Sequence, residues 1–193
     1  PAQSVSLAGP TRLELMDIPL LRDADDGPGY YVAMGRYLPG WSGAMLYTST
    51  DAGATWAELQ PVANSAVIGS ATTALGSWSG GNVFDQANGV TVTLPAGLEL
   101  SSLTELAVLN GGNAALLGNE IIQYTTATLT APRTYRLTGL LRGRRGTEGA
   151  MGTHAIGERF VLLAGPAGFA RIPGAVADIG LARKYKAVSG GSS

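Results

Sequence analysis

The sequence predicts an all-β protein, built as one or two small β-barrel or sandwich domains with at most one short helix. Three observations predict it. Apolar and polar residues alternate in short runs that recur every 8–15 residues. Turn chemistry separates the runs: 28 glycines and 10 prolines stand among 193 residues, where ordinary usage of the two together is about 12%. No pattern of helical period is sustained for ten residues.

In chain order, Leu13–Ile18 reads as a strand closed by Pro19. Asp23–Gly29 is an acidic loop. Tyr30–Met34 and Ala44–Thr48 read as strands on either side of the turn at Pro39-Gly40-Trp41-Ser42-Gly43. Val67–Thr73 is a further strand, followed by a Gly/Ser/Trp loop over Gly76–Asn82. Gly89–Leu94 alternates most cleanly of all. Leu98–Leu106 is the place for one short helix, with Ser101 or Ser102 as N-cap and Glu105 near its first turn. Ala114–Leu117, Glu120–Tyr124 and Tyr135–Leu141 follow as strands, parted by Gly118-Asn119 and by a turn at Ala131-Pro132. Phe160–Leu163, Phe169–Ile172 and Tyr185–Val188 complete the series. The expected organisation is a hairpin-rich part over 1–60, a barrel-like part over 61–165, and returning strands with a C-terminal linker over 166–193. The start at Pro1 and the closing Ser189-Gly190-Gly191-Ser192-Ser193 suggest a piece of a longer protein.

Composition excludes several chemistries. Without cysteine there is no disulfide framework, Cys-ligated zinc or thiol nucleophile. A multi-His metal site or a Ser–His pair would rest on His154 alone, for which the sequence offers no partner, so a structural histidine is expected. No cofactor, metal or catalytic residue is expected. Net charge is −1 and the isoelectric point about 5.8, so bulk attraction to nucleic acid is not expected. No run of about 18 apolar residues marks a membrane span. Charge is nevertheless segregated: −6 over residues 1–100 and +5 over 101–193. That asymmetry suits head-to-tail packing of copies or a partner on one face, and equally two solvated faces.

Three stretches carry candidate sites. Ser49-Thr50-Asp51-Ala52-Gly53-Ala54-Thr55-Trp56 fits the Asp-box pattern S-x-D-x-G-x-T-W. Ser49, Asp51, Gly53 and Trp56 are the structural residues of such a turn: Asp51 accepts backbone N–H bonds, Gly53 takes positive φ and Trp56 folds back as a lid. The motif repeats in sialidase-like propellers, but one copy reads as a stabilised hairpin. Asp23, Asp25 and Asp26 raise calcium, yet Gly27 and Met34 fall where an EF-hand needs ligands, leaving a solvated acidic turn. Arg142, Arg144 and Arg145 stand among glycines and threonine in Leu140–Gly149. They could grip anions, or bond carbonyls and acids such as Glu148 or Glu158 in a tight corner. Trp41 and Trp78, with Trp56 and Tyr30, Tyr31 and Tyr37, could instead form stacking platforms for a glycan. Glu120 as a glycosidase acid would need a second carboxylate across a cleft.

Two runs carry a family resemblance. Leu15–Asp26 resembles part of the large tail-tip hub protein of gene transfer agents and related long-tailed phages. Gly118–Tyr124, then Tyr135–Glu148, then His154–Leu163, resemble the C-terminal hub region of that family more specifically. The resemblance implies a virion or gene-transfer-agent particle protein at the distal end of the tail. It implies a trimer in the full-length protein, contact with neighbouring tail-tip proteins and host-surface attachment. Hubs of this family often carry a cell-wall-directed hydrolase segment ahead of this region, and none of its catalytic residues maps here. The expected function is therefore structural and non-enzymatic. The other readings are a carbohydrate-binding module and, on the Asp-box alone, a sialidase-like hydrolase.

Overall fold

The structure is a computed structural model that describes residues 9–163 and 168–190. Among the described residues, twelve strands and one short α-helix make an all-β fold, and the chain divides into two compact units: Pro1–Ala66 with Pro166–Ser193, and Val67–Gly165.

The first unit holds two antiparallel sheets of three strands. One is ordered β1 (Thr11–Met16), β2 (Gly29–Arg36), β11 (Phe169–Pro173). The other is ordered β12 (Lys184–Ser189), β3 (Ala44–Ser49), β4 (Ala57–Val62). Period-two alternation on β2 turns Tyr30, Val32 and Met34 into a core with Ala44, Leu46 and Ile172. Pro61 lies on β4, where the edge position leaves its missing N–H without a ladder partner to disappoint. Tyr31 points to the other side of β2, stacked on Phe169 at 5.3 Å between centroids. Its hydroxyl donates to Asp25 Oδ2 at 2.6 Å and accepts from the Leu21 N–H at 2.9 Å. The acidic loop is thus not wholly solvated: Asp25 is buried under Arg22 and against Tyr31, and its pKa is lowered, mainly by the Tyr31 hydroxyl.

The second unit is a closed six-stranded antiparallel barrel ordered β10 (Arg159–Leu162), β5 (Ile68–Ala71), β6 (Val90–Thr93), β9 (Thr134–Leu141), β8 (Glu120–Ala131), β7 (Ala114–Leu117). Inward residues of every strand fill it, among them Val90, Val92, Leu117, Ile122, Tyr124, Leu137 and Phe160. The helix, α1, spans Glu105–Leu109. It starts later than the sequence suggested, because Thr104 caps it by accepting from the Ala107 N–H at 3.3 Å. Ser102 is engaged elsewhere, accepting from the Ala127 N–H.

Two further expectations change. Ser189 and Gly190 are not linker: Ser189 ends β12 and donates to Gly9 O, and the Gly190 N–H donates to Gly43 O at 2.7 Å. The rest of the expected linker, residues 191–193, lies outside the described residues. The acidic and basic halves of the sequence also do not become acidic and basic units. Arg171, Arg183, Lys184 and Lys186 return to the first unit, which holds eight acids and seven bases. The barrel holds six of each.

Candidate functional site

The arginine corner is the densest polar structure in the barrel. Arg142 follows the end of β9 and its side chain is fully buried. Its guanidinium grips Glu120, the first residue of β8, through both oxygens: Nε to Oε1 at 2.8 Å and Nη2 to Oε2 at 2.9 Å. Nη1 donates to Asp85 Oδ2 at 3.1 Å and to the Gly76 carbonyl at 2.9 Å. The planar fork of arginine suits this two-sided grip, where a lysine would offer one point charge. Gly143 then turns the chain at φ +56°, and its N–H donates to Glu120 Oε1 at 2.7 Å. A Cβ at Gly143 would stand 2.8 Å from Glu148 Cγ, so the left-handed turn and the close approach both require glycine.

His154 completes the cluster from the loop before β10. Nε2 lies 2.6 Å from Glu120 Oε2 and Nδ1 lies 2.7 Å from Glu158 Oε1. A neutral imidazole donates from one nitrogen only; with a carboxylate on each, the imidazolium satisfies both. Burial works against the charged ring, but the two carboxylates outweigh it and raise the His154 pKa. Burial likewise opposes charge on Glu120, and His154, Arg142 and the Gly143 N–H together overcome it, lowering the Glu120 pKa. The two carboxylates sit on different ring nitrogens and do not converge on one point. Among the described residues, no group of three or more His, Asp or Glu is arranged to hold a metal ion.

Asp85 was not foreseen from the sequence. It pairs with Leu140 across a bridge of two backbone bonds, 2.7 and 3.1 Å, which carries it to Arg142 two residues on. Its Oδ1 accepts from the N–H groups of Ala87 and Asn88, and Oδ2 from the Asn88 amide. The signal for such a turn is Asp85-Gln86-Ala87-Asn88, an Asx-type spacing. The partners of the corner therefore differ from those expected. Arg142 uses Glu120 and Asp85 rather than Glu148 or Glu158, and His154, expected to stand alone, holds two acids. Arg144 Nε donates to Gln123 Oε1 at 3.0 Å, and Gln123 in turn donates to the Val108 and Gly112 carbonyls. Arg145 is exposed beside Arg144 on a hollow that Leu109, Asn110 and Ile121 help to line.

The Asp-box turn forms a hairpin between β3 and β4. Asp51 accepts from the Thr55 N–H and hydroxyl and from the Ser49 hydroxyl, and these bonds, the Thr55 hydroxyl first, hold its carboxyl far below the usual range. The Gly53 N–H donates to Ser49 Oγ at φ +101°. Trp56 packs beside Gly53 and takes the Lys186 ammonium over its ring at 4.2 Å. Trp41 is half-buried against the first unit's core and donates to Thr11 Oγ1 at 2.8 Å. Trp78 is half-buried over Gly80 and donates to the Gly81 carbonyl. Trp41 belongs to the first unit and Trp78 to the barrel, where its indole bonds the Gly81 carbonyl rather than a member of the arginine corner.

No curated protein matches the chain. A family model does, over residues 66–161, a span that contains Asp85, Glu120, Arg142, His154 and Glu158. Its description is Rcc01698-like, C-terminal, and the barrel with its buried arginine corner is thus similar to the C-terminal domain of a gene-transfer-agent-related family.

Proposed function

We propose that this chain is a structural, non-enzymatic module of the tail-tip hub of a phage or gene transfer agent. In this reading it works at the distal end of the tail, as a trimer in the longer protein. It joins neighbouring tail-tip proteins and contributes to contact with the host surface. The observation that carries the reading is the saturation of the barrel's ionisable cluster. Both oxygens of Glu120, both of Asp85 and both nitrogens of His154 are engaged within the chain, and the His154 side chain is 1% exposed. A general acid or base needs a proton position within reach of a substrate, and these groups spend theirs on holding β8, β9 and the loop before β10 in place. Large apolar side chains around α1, Leu106 at 69% and Leu109 at 59% exposure, are suited to cover by a neighbouring subunit.

Deleting residues 67–165 from the parent protein tests the reading. Particles with incomplete or unjoined tails are expected, and intact, infective particles would contradict it. Turnover of a cell-wall glycan by the purified chain would overturn the non-enzymatic part.

A further inference from the structure

The outer face of the β12–β3–β4 sheet carries a cluster that none of the roles above uses. Alternation on β3 turns Ala44 and Leu46 into the core and leaves Met45 and Tyr47 on the opposite face. On β12 it sends Tyr185 and Ala187 inward and Lys184, Lys186 and Val188 outward. The register sets Tyr47 between Lys186 and Glu58, and Met45 between Val188 and Pro61. The Lys186 ammonium is held 4.2 Å from the Trp56 ring centroid and 5.3 Å from that of Tyr47. Lys184 rises beside Gly53 and Trp56. Among the described residues neither lysine joins an ion pair. The Tyr47 hydroxyl donates to Glu58 Oε1 at 3.3 Å. Beyond Tyr47 the face continues into a hollow of about 480 Å³ that Met45, Pro61, Ala63 and Val188 help to line.

We propose that this face binds an acidic saccharide, a sugar chain bearing carboxylates. Lys184 and Lys186, two residues apart on one strand, leave the backbone about 6.8 Å apart on the same side. Among the described residues no carboxylate neutralises either one, which suits both to a carboxylate of a ligand. Lys186 is already fixed between two rings, and less side-chain freedom is lost when a ligand arrives. Tyr47, Met45 and Val188 offer apolar ground for the C–H faces of sugar rings. The Glu58 carboxylate and the Tyr47 hydroxyl offer polar atoms for sugar hydroxyls. Glu58 favours a sugar over an acidic peptide because its carboxylate accepts hydrogen bonds from sugar hydroxyls, donors that the side chains of poly-glutamate lack. The inference deepens the host-surface part of the proposed function and rests on it for its biological setting only.

The test uses the full 193-residue chain, labelled with nitrogen-15. The probes are a hexamer of galacturonic acid, its fully methyl-esterified form, and poly-glutamate. The acidic hexamer is expected to shift the Trp56 indole and the Lys184 and Lys186 amide resonances, and to bind at least tenfold more tightly than the ester. Lys184→Ala with Lys186→Ala is expected to lose binding at least tenfold while the barrel resonances stay in place; Trp56→Tyr, which keeps a ring over the hairpin, is expected to retain part of it. No shift with the hexamer, equal binding of poly-glutamate, or shifts centred on Trp41 or Trp78 would each overturn the proposal. Because binding is read on the isolated chain, its failure is distinct from a failure of the tail-assembly reading, which is scored on particles.

Discussion

Replacing Arg142 by Met probes the corner most sharply. The guanidinium makes four hydrogen bonds, two to Glu120, one to Asp85 and one to the Gly76 carbonyl, at 2.8–3.1 Å. The side chains of Arg142, Glu120 and Asp85 are all fully buried. An exposed ion pair would contribute about 0–1 kcal/mol. Removing the cation from a buried pair instead leaves uncompensated charge, which costs about 3–5 kcal/mol. At about 2–4 °C per kcal/mol for a chain of this size, Arg142→Met is expected to lower the melting temperature by roughly 6–20 °C. Arg142→Lys, which keeps the charge and loses the fork, should fall between. Arg142→Met combined with Glu120→Gln should lose less than Arg142→Met alone, because the amide removes the stranded carboxylate. Calorimetric melts decide it. A single variant within about 1 kcal/mol of the parent would show instead that the corner behaves as a surface pair.

Three further predictions address the same barrel. His154 is the chain's one histidine, so its ring protons give an unambiguous NMR titration. Its folded pKa is raised above 6.5, so its contribution is complete below that value and fades as pH rises through the raised pKa; Glu120, lowered from 4.5, contributes above that value and fades as pH falls. His154→Gln should flatten the alkaline part of the stability profile, and a titration midpoint at or below 6.5 would contradict the arrangement. Gly143→Ala forces a Cβ into the left-handed region and against Glu148, with an expected loss of at least about 1–2 kcal/mol by denaturant melt; unchanged stability would count against the turn. The Tyr124 hydroxyl is buried with no hydrogen-bond partner among the described residues. Tyr124→Phe is therefore expected to be neutral or stabilising by up to about 1 kcal/mol, and a clear loss would show that the hydroxyl is bonded in solution.

The strands were legible because their signal is local. Gly89–Leu94 alternates within six residues, and β6 forms over Val90–Thr93 inside it. The Asp-box turn was legible for the same reason, since Ser49, Asp51 and Thr55 bond one another within seven residues. The corner was half legible. Arg142 stood out by composition, but its partners lie 22 and 57 residues away and meet it only once β8 pairs with β9 and Asp85 bridges Leu140. His154 lacked a visible partner because Glu120 is 34 residues distant and Glu158, though only four away, belongs to no helix that would place it on a shared face. The charge asymmetry between halves does not carry over to the units, because basic C-terminal strands return to the N-terminal unit. The outward lysines of β12 were invisible as a site until the register set them beside Tyr47 and Trp56.

We propose above that this chain is built into the distal end of a tail. The most direct measurement is cryo-electron microscopy of intact particles from the source organism, with the two units fitted separately into the tail density. Density for the six-stranded barrel, with Arg142 and Glu120 enclosed, is expected in symmetry-related copies at the tail tip. Complete tail-tip density with no volume that accommodates the barrel would contradict it.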